Sequence, residues 1–312
     1  MSEKAPQKTA DSVDSTIEED FGIDEDSDLE EDSDLEEDSD ADEEESLSIE
    51  DLEAAVARGE DLREFNFAGA ELHGADLSGA LLKEANFAGA DLDNVDLSNA
   101  VLTEASFAGA TLNNITLNGA DLTEANFSGA HLNDLDAVDA TLLEADFSGA
   151  AVYDVDLSRA NLRETIFAGA SVGETTLNGA DMHGADLSGA TFSDVDMREC
   201  DLSEADASAA AFHNVDLSKA NLSEADFSAA SIQDATLDEV KGDGWWLVAA
   251  SLRQVSMKNA SLKTAVFEAL GVEDLDIQGN ELPDGFAEWL SEASAAADAD
   301  AKPSDEDTKG DG

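Results

Sequence analysis

Four histidines carry the most versatile side-chain chemistry in this sequence, because imidazole can transfer protons near neutral pH or bind a metal ion. They are His73, His131, His183 and His213, and at least 30 residues separate each one from the next. No serine–histidine–acid set can be recognised around them. The histidines therefore indicate neither nucleophilic catalysis nor a metal ion held by two of them.

The remaining motifs that could support chemistry are incomplete. Cys200 is the single cysteine, which excludes an internal disulfide and a thiolate-cluster metal site. The stretch Gly242–Asp243–Gly244 lacks the further glycine of a dinucleotide-binding fingerprint, and no P-loop is present. Three acidic hexads between residues 25 and 42 lack the glycine and final glutamate of a calcium-binding EF-hand at the required spacing. We expect no catalytic residue, no cofactor and no metal site.

Carboxylates dominate the chain, with 75 acidic and 15 basic residues and a formal net charge of −60. Basic residues are too scarce for direct binding to nucleic acid phosphates, and anionic membranes are disfavoured for the same reason. Acidic side chains repeat uniformly, whereas general acid and base catalysis needs two contrasting environments. The composition therefore predicts that the protein is not an enzyme. The charge reflects either adaptation to molar salt or a specific role for the negative field.

The expected location is the cytoplasm. The first residues, MSEKAPQKTADSV, contain no apolar core, so no signal peptide is predicted. The longest apolar run, WWLVAA, is far shorter than the roughly twenty residues that span a bilayer. We therefore expect no contact with a membrane.

The middle of the chain repeats with a period of five, as in NFAGA DLDNV DLSNA VLTEA at residues 86–105. An apolar or small central residue recurs from Leu62 to Leu282, and Gly242 is the one glycine in this column. A second small residue, usually alanine, precedes each central residue by two positions. Period five fits neither a helix nor a single strand. It indicates a solenoid in which each pentad forms one side and one corner.

A second period of twenty predicts four sides per coil. Phenylalanine recurs every twenty residues from Phe67 to Phe167, and like residues would therefore stack on like. Stacked carboxylates about 4.8 Å apart would repel by about 0.9 kcal/mol in unscreened water, and molar salt would remove most of this repulsion. We therefore expect stability to fall below about 0.5 M salt. The stacked acidic column has the same spacing except for a step of forty between the sixth and seventh members, and it consists of Glu64, Glu84, Glu104, Glu124, Glu144, Glu164, Glu204 and Glu224.

The pattern resembles the pentapeptide-repeat family, whose signature A(D/N)LXX occurs here as ADLSG (75–79 and 185–189), ANFAG (85–89) and ANFSG (125–129). The resemblance implies an all-β solenoid, a right-handed quadrilateral β-helix of about 11 coils with short helical caps at both ends. In this fold the central residue and the alanine face inward. Cys200 then replaces an inward alanine as a small core residue. At a coil spacing of about 4.8 Å the rod is about 53 Å long, and His73 and His213 lie about 34 Å apart.

Five segments are predicted. Ser48 is a good N-cap and Gly59 a good terminator for a first capping helix. Phe286, Trp289 and Leu290 share one face of a second capping helix. The acidic ends have too little apolar surface to order. The segments are an acidic disordered tail (1–46), a capping helix (47–59), the β-helix (60–282), a second capping helix (283–293) and an acidic disordered tail (294–312).

The leading functional hypothesis is a salt-adapted scaffold or binding rod with an unidentified protein partner. The resemblance also suggests an alternative, because the fluoroquinolone-resistance members of the family are DNA-shaped acidic rods that bind DNA gyrase. Residues 60–280 hold 40 acidic and 10 basic residues, about one net charge per 1.8 Å against one per 1.7 Å in duplex DNA. A DNA mimic that binds gyrase or another DNA-binding protein is therefore a second hypothesis. A weak cation-buffering surface is a third, and the resemblance allows a homodimer through the C-terminal segment.

The stretch VKGDGWW at residues 240–246 departs from the repeat. Gly242 removes one inward side chain, and Trp245 falls in the inward alanine column. We therefore expect this indole to fill the core volume that the glycine leaves empty. Trp246 falls in an outward column and is the candidate contact for a partner. The nearby basic residues assigned to the same candidate site are Lys241, Arg253, Lys258 and Lys263.

Overall fold

The computed structural model describes residues 16–18 and 46–286 of the chain. Two short strands, β1 (Thr16–Glu18) and β2 (Ser46–Ser48), pair antiparallel at the start of the described residues. The sequence did not predict this pairing. The rest of the expected N-terminal tail, the residues after Phe286 and the expected C-terminal tail lie outside the described residues.

A nine-residue helix, α1 (Ile49–Ala57), follows β2 within the segment in which the sequence places the first capping helix. Its N-terminus is capped because the Asp51 backbone N–H donates to Ser48 Oγ at 3.2 Å. Its C-cap is Arg58, and Gly59 follows with a φ of +70° that favours glycine. No helix in the described part of the chain is long and apolar enough to cross a membrane.

The main sheet has eleven parallel strands, and each strand pairs with the one that begins twenty residues later. In the first pair, Leu72 lies opposite Leu92. A separate parallel pair, β12 with β14, lies on another side of the molecule. In chain order the strands are β3 (Glu71–His73), β4 (Asp91–Asp93), β5 (Thr111–Thr116), β6 (His131–Asp136), β7 (Ala151–Asp156), β8 (Ser171–Gly173), β9 (Thr191–Ser193), β10 (Ala211–His213), β11 (Ser231–Gln233), β12 (Trp246–Val248), β13 (Ser251–Ser256), β14 (Val266–Glu268) and β15 (Gly271–Asp276).

The other sides of the solenoid are held by isolated bridges that keep the same step of twenty residues. Examples are Asp61 with Leu81, Asn66 with Asn86, and Asp76 with Asp96. The chain therefore forms a parallel β-solenoid of four pentads per turn, and the eleven strands of the main sheet span about ten turns. This architecture confirms the fold predicted from the two periods.

The interior consists of the two inward columns that the sequence predicts. Central residues such as Leu72 and preceding alanines such as Ala70 are almost fully buried. Six phenylalanines from Phe67 to Phe167 stack with ring centroids 4.7–4.9 Å apart and nearly parallel rings. The aromatic column then moves to the main-sheet side, where the Phe192 and Phe212 rings stack at 5.1 Å. The move keeps about one aromatic ring in each layer, as close packing requires.

Two kinds of corner connect the sides. At most corners the residue three after the central one donates its backbone N–H to the central carbonyl, as Ala85 does to Leu82 at 3.1 Å. The described backbone contains no such bond from Val95 to Leu92, after the main-sheet strand. Because that corner is not closed by the tight-turn hydrogen bond, it accepts the larger side chains that replace alanine there. Examples are Val95, Ile115, Leu135, Val155, Val195 and Val215.

Candidate interaction surface

The four sides of the rod differ in charge. We name them by residue: the Glu side (60–64), the Phe side (65–69), the sheet side (70–74) and the third side (75–79), each repeated every twenty residues. Over residues 60–279 the Phe side holds five acidic residues and no basic one. The sheet side holds ten acidic residues and one basic, the third side eleven and four, and the Glu side fourteen and five. The negative charge therefore lies mainly on three sides.

The Phe side is also flat, because its outward positions carry small residues. After each central residue comes alanine or serine in most coils, followed by glycine up to Gly189 and then by alanine. Each of these glycines has a positive φ, which fits the third position of a tight turn. Only a few larger apolar side chains stand out from this side, and the most exposed are Ile166 (37%) and Trp246 (49%).

Trp245 points into the core, as the pentad count predicts. Its side chain is fully buried, and its ring meets Phe227 edge-on with centroids 5.3 Å apart. A Cβ atom on Gly242 would lie 2.7 Å from Leu262 Cδ2 and 3.3 Å from Trp245 Cε3. The tryptophan and the leucine have therefore taken the space of the missing side chain. This confirms the prediction that the Trp245 side chain fills the core volume that Gly242 leaves without a side chain.

Trp246 points outward on the Phe side and is about half exposed. It begins strand β12, and its parallel neighbours are Asp226 in the preceding coil and Val266 in the following coil. Val248 and Val266 are partly buried beside it. We refer to Trp246, Val248 and Val266 as the Trp246 patch. A large, partly exposed aromatic residue next to smaller apolar ones is typical of the centre of a protein interface.

The basic residues near Trp246 in the sequence do not share its side of the rod. Lys241 and Lys263 lie on the Glu side, Arg253 on the sheet side and Lys258 on the third side. Five residues along the chain correspond to one corner of the solenoid, so proximity in sequence does not bring these side chains together. The structure therefore does not gather the four cations and Trp246 into one cluster.

Three of these cations pair with acidic residues of the next coil. The hydrogen-bonded carboxylates raise the pKa of Lys258 and of Lys263. These exposed pairs leave the cations less available to a partner, although each pair contributes little stability. The pairs are Arg253 with Glu273 (2.9 Å), Lys258 with Asp276 (3.0 Å) and Lys263 with Glu281 (2.9 Å).

The stacked acidic column from Glu64 to Glu224, called the glutamate column from here on, lies at the corner that ends the Glu side. Every glutamate in it has a positive φ between 56° and 60°, a conformation that few non-glycine residues adopt. Lys83 Nζ lies 3.2 Å from Glu84 and 2.9 Å from Glu104, so one cation links two successive carboxylates. Gly184 interrupts the column, and Gly244 follows its last member, Glu224. No group of three or more histidine, cysteine or acidic residues among the described residues could hold a metal ion.

Many acidic residues outside this column have a local structural role. The aspartate or asparagine before a central residue accepts the backbone N–H two positions later, as Asp96 does from Ser98 at 2.8 Å. Asn126 accepts from Ser128 in the same way at 2.8 Å. These Asx turns pair backbone N–H groups at the corners. They explain the second position of the A(D/N)LXX signature, although asparagine would serve as well as aspartate.

Asp201 has the most developed version of this arrangement. Its Oδ1 accepts the Ser203 backbone N–H at 3.0 Å, the Ser203 hydroxyl at 2.6 Å and the Asn221 side-chain amide at 2.9 Å. Partial burial opposes ionisation, but these hydrogen bonds outweigh it and lower the pKa of Asp201. The pKa of Asp196 is also lowered, because Arg198 Nε donates a hydrogen bond to its carboxylate at 2.8 Å. Both carboxylates are held in the ionised form by neighbours.

Cys200 is a core residue. It occupies an inward alanine position, is 1% exposed and lies with Sγ 2.7 Å from the Leu177 carbonyl oxygen. Burial raises the pKa of its thiol to about 12, which disfavours the reactive thiolate. The histidines lie at the surface, and His183 Nδ1 is 3.0 Å from Ser203 Oγ. These contacts assign a packing role to the cysteine and a local hydrogen bond to this histidine.

Tyr153 is a surface feature that the sequence reasoning missed. Its side chain is 48% exposed on the sheet side, and its hydroxyl donates to Glu174. A Cβ atom on Gly173 would lie 2.9 Å from the tyrosine ring, so the glycine makes room for the ring. The available signal was a lone aromatic residue in an outward column, with glycine twenty residues later.

The four-sided parallel solenoid with a five-residue repeat defines a class of protein. The sequence profile of the family described as pentapeptide repeats matches eight copies, at residues 51–83, 80–119, 120–159, 156–194 and 208–241. The chain belongs to the pentapeptide-repeat family. No curated protein sequence matches it.

Several solved structures are similar to the chain. HetL, a pentapeptide repeat protein involved in heterocyst differentiation regulation from the cyanobacterium Nostoc sp. strain PCC 7120, is 26% identical with a TM-score of 0.47, over 76% of this chain and 97% of its own. QnrB1, a plasmid-mediated fluoroquinolone resistance protein, is 21% identical in a trypsin-treated form, with a TM-score of 0.32, over 64% of this chain and 95% of its own. A pentapeptide repeat protein from the Arabidopsis thaliana thylakoid lumen is 31% identical with a TM-score of 0.16, over 32% of this chain and 63% of its own.

Proposed function

We propose that the protein is a non-enzymatic binding rod with a strongly acidic, salt-adapted surface, and that the Trp246 patch contacts its protein partner. The observation that carries this proposal is the position of Trp246, half exposed on the side of the rod with the fewest charged residues. Burying this indole would release water from a large apolar surface, and the acidic residues that pair with the patch from the adjacent coils are Asp226 and Glu268.

The charge of the other sides bears on the kind of partner. A protein that covers the Trp246 patch also approaches the acidic residues of the two neighbouring sides. Positive charge on the partner would therefore speed association and fix its orientation. In molar salt this attraction is screened within a few ångströms. The apolar patch then supplies most of the affinity, which explains why an exposed tryptophan would be useful on such a rod.

A capture experiment at high salt tests the patch. The full chain, a Trp246→Ala variant and a Leu81→Ala variant are immobilised and incubated with cell lysate in 2 M KCl. Leu81 is the matched control because it is 41% exposed and lies on the Glu side. We expect a protein that binds the natural chain and Leu81→Ala but not Trp246→Ala. A partner retained equally by all three chains would exclude the patch as the contact.

Salt adaptation has its own test, which does not depend on a partner. The carboxylates of the glutamate column repel one another less as salt is added. We expect the melting temperature to rise between 0.1 and 3 M KCl, with most of the rise below about 1 M. An unchanged melting temperature over this range would contradict a salt-adapted surface.

DNA mimicry is the second candidate function. Its support is the net charge of −30 on residues 60–280, which gives a linear density close to that of duplex DNA. The Phe side counts against it, because it holds five acidic residues where each other side holds ten to fourteen, whereas a DNA duplex presents phosphates all round its axis. Purified gyrase is mixed with the chain at low and high salt, and binding and supercoiling are measured. Binding with inhibition of supercoiling would favour mimicry over the Trp246 patch. If gyrase neither bound the chain nor lost supercoiling activity, DNA mimicry would be excluded.

Two further expectations remain proposals. A weak cation-buffering surface would use the glutamate column, and calorimetry with Ca²⁺ that gave only salt-like heats would dismiss it. A homodimer through the C-terminal segment would appear as a concentration-dependent mass in sedimentation analysis. Neither expectation requires a catalytic group or a cofactor.

A further inference from the structure

Tyr153 is the single tyrosine of the chain and lies flat on the middle of the sheet side. It belongs to strand β7, and its parallel partner in the next coil is Gly173. A Cβ atom on Gly173 would lie 2.9 Å from both Cδ2 and Cε2 of the tyrosine, so the ring lies over the glycine, which is buried. The Tyr153 side chain is nevertheless half exposed. One face of the ring therefore covers the sheet, and the other face is open to solvent.

The strand positions around this ring carry no acidic residue. From residue 111 to residue 233, the first and third residues of each main-sheet strand point outward. Apart from Tyr153, these residues are serine, threonine, alanine, glycine, asparagine, glutamine or histidine. A chain laid along these positions could reach the ring and strip water from few charged groups.

Carboxylates line one edge of this uncharged strip. The Tyr153 hydroxyl donates to Glu174, and this hydrogen bond raises the pKa of Tyr153. The charges of Asp194 and Asp154 raise the same pKa further, so three carboxylates lie close enough to act on the hydroxyl. The ring therefore lies in a strongly negative field. The acidic residues of this edge follow the third strand position and are Asp134, Asp154, Glu174, Asp194 and Asp234.

The chain supplies little positive charge to balance this field. Over the described coils the sheet side holds one arginine or lysine, Arg253, which lies five coils from Tyr153 and pairs with Glu273 at 2.9 Å. Two arginines of the third side, Arg159 and Arg198, are each held by an aspartate at 2.8 Å. An open aromatic face in a negative field attracts a cation, because the ring quadrupole and the carboxylates act in the same direction.

A groove of about 380 Å³ continues the acidic edge at the corner between the sheet side and the third side. Asp194 belongs to both features, because it acts on the Tyr153 hydroxyl and also lines the groove. The groove is centred three coils beyond the ring, about 14 Å away at a coil spacing of about 4.8 Å. Its lining includes Asp194, Asp196, Asn214, Asp216 and Asp234.

We propose that the sheet side binds an extended, arginine-bearing segment of a partner protein. One arginine stacks on the open face of the Tyr153 ring, and a second basic side chain enters the groove. An extended chain rises about 3.4 Å per residue and alternates its side chains, so side chains four residues apart share a face and lie about 14 Å apart. In a helix the same spacing covers only about 6 Å. The surface therefore fits two basic residues four positions apart in an extended segment.

Arginine suits the ring better than lysine. Its planar guanidinium stacks on an aromatic face and can donate two parallel hydrogen bonds to a carboxylate. Glu174 is the carboxylate beside the ring. This surface is separate from the Trp246 patch, which lies on the Phe side five coils later. The inference therefore does not rest on the function proposed for Trp246.

Fluorescence anisotropy with the full chain tests the surface at pH 8, where histidine is mostly uncharged. The probe is a fluorescein-labelled glycine–serine peptide with two arginines four residues apart, in 0.1 M KCl. We expect Tyr153→Ala to weaken binding about three- to fivefold, and Tyr153→Phe, which keeps the ring, to weaken it less than about twofold. Asp194→Asn should weaken binding about threefold. Asp226→Asn makes the same charge change on the Phe side and should leave binding unchanged.

A second peptide separates this geometry from general attraction to an acidic rod. With its two arginines adjacent it has the same charge, but only one arginine can reach its contact, so it should bind about threefold more weakly. Equal affinity for the two peptides would overturn the proposal. Equal losses in Asp194→Asn and Asp226→Asn, or no saturable binding to the natural chain, would overturn it as well.

The single tyrosine gives a second readout by NMR. In a chain labelled with ¹³C-tyrosine, all labelled ring signals come from Tyr153. We expect these signals to shift saturably with the arginine peptide, equally in the natural chain and in Trp246→Ala, and to shift less with a lysine peptide of the same spacing. Unchanged ring signals at saturating peptide would contradict the proposal. A shift that disappeared in Trp246→Ala would also contradict it, by placing the peptide on the Trp246 patch.

Discussion

The middle coils and the coil that begins at Gly242 keep the same backbone with different side chains. From Phe67 to Phe167 each layer is filled by one stacked phenylalanine. In the later coil the filling is Trp245 with Leu247, opposite a glycine. The bridges on either side of Gly242 nevertheless keep the step of twenty residues, from Asn221 through Lys241 to Ser261. The fold therefore constrains backbone register and layer volume, and it leaves open which side chain supplies the volume.

A milder exchange of the same kind occurs inside the regular region. Leu135 is large and Ala137 is small where the next coil has Val155 and Leu157. The apolar cavity left beside Ala137 is about 10 Å³, which is at the limit of the space that one water molecule needs. The larger side chain of Leu135 therefore compensates almost fully for the smaller side chain of Ala137. It differs from the Trp245 exchange in size but follows the same rule.

The variant with the largest expected loss of stability is Trp245→Ala, which tests whether each layer keeps its core volume. The variant removes a fully buried indole that packs on Phe227, and we expect it to lower the free energy of unfolding by about 3–5 kcal/mol. Adding Gly242→Leu should recover much of this loss, since the pair restores the usual alanine and leucine of a pentad. Urea unfolding in 2 M KCl measures both variants.

The controls for this test are the single variants. Gly242→Leu alone should destabilise, because the Trp245 ring already fills this space and its Cε3 would lie 3.3 Å from the new Cβ. Trp246→Ala should change stability by less than 1 kcal/mol, since its side chain is half exposed. If Trp245→Ala lowered the free energy of unfolding by less than 1 kcal/mol, the indole would not be filling core volume.

The second test exchanges the layer at Ala137. Ala137→Leu alone overfills a packed layer and should cost about 1–3 kcal/mol. Leu135→Val alone opens a cavity and should cost about 1 kcal/mol. The double variant reproduces the Val155 and Leu157 arrangement of the next coil and should be close to the natural stability. Additive losses in this double-mutant cycle would show that layer volume is not conserved.

The sequence was sufficient to predict these interior features because the repeat places every residue by counting. Register, the inward columns and the role of Trp245 all follow from the step of five. The surface was less predictable. Trp246 lies five residues from Lys241, yet one corner separates their sides. The contact of Tyr153 with Gly173 depends on a side-chain orientation that counting does not give. One of the three hydrogen bonds on Asp201 likewise comes from a residue twenty positions away, Asn221.

The third test compares regular and interrupted parts of the outer surface. Glu124 has a glutamate in the column on both sides, whereas Glu204 has Gly184 on one side. At 0.1 M KCl we expect Glu124→Gln to stabilise by up to about 1 kcal/mol and Glu204→Gln by about half as much. In 2 M KCl both gains should disappear. Thermal unfolding at the two salt concentrations measures them, and equal gains for the two variants would argue against column repulsion.

The fourth test concerns Asp201, where the outer surface supports the backbone. Asp201→Ala removes the acceptor of three hydrogen bonds and should cost about 1 kcal/mol, whereas Asp201→Asn keeps an oxygen acceptor and should cost less. The folded pKa of Asp201 lies below its ordinary value of 3.8. Its charge-dependent stabilisation is therefore fully present above that value and is lost as the pH falls through the lower folded pKa.

The pH dependence separates the charge of Asp201 from its shape. Between pH 5 and pH 2 the natural chain should lose slightly more stability than Asp201→Asn, because only the natural side chain takes up a proton. The difference is measured in high salt, where repulsion among the other carboxylates is screened. If the natural chain and Asp201→Asn had parallel pH profiles, the carboxylate would act only as a hydrogen-bond acceptor. The acidic character of the Asx turns would then reflect solubility in salt, and any residue that accepts these bonds could hold the corners.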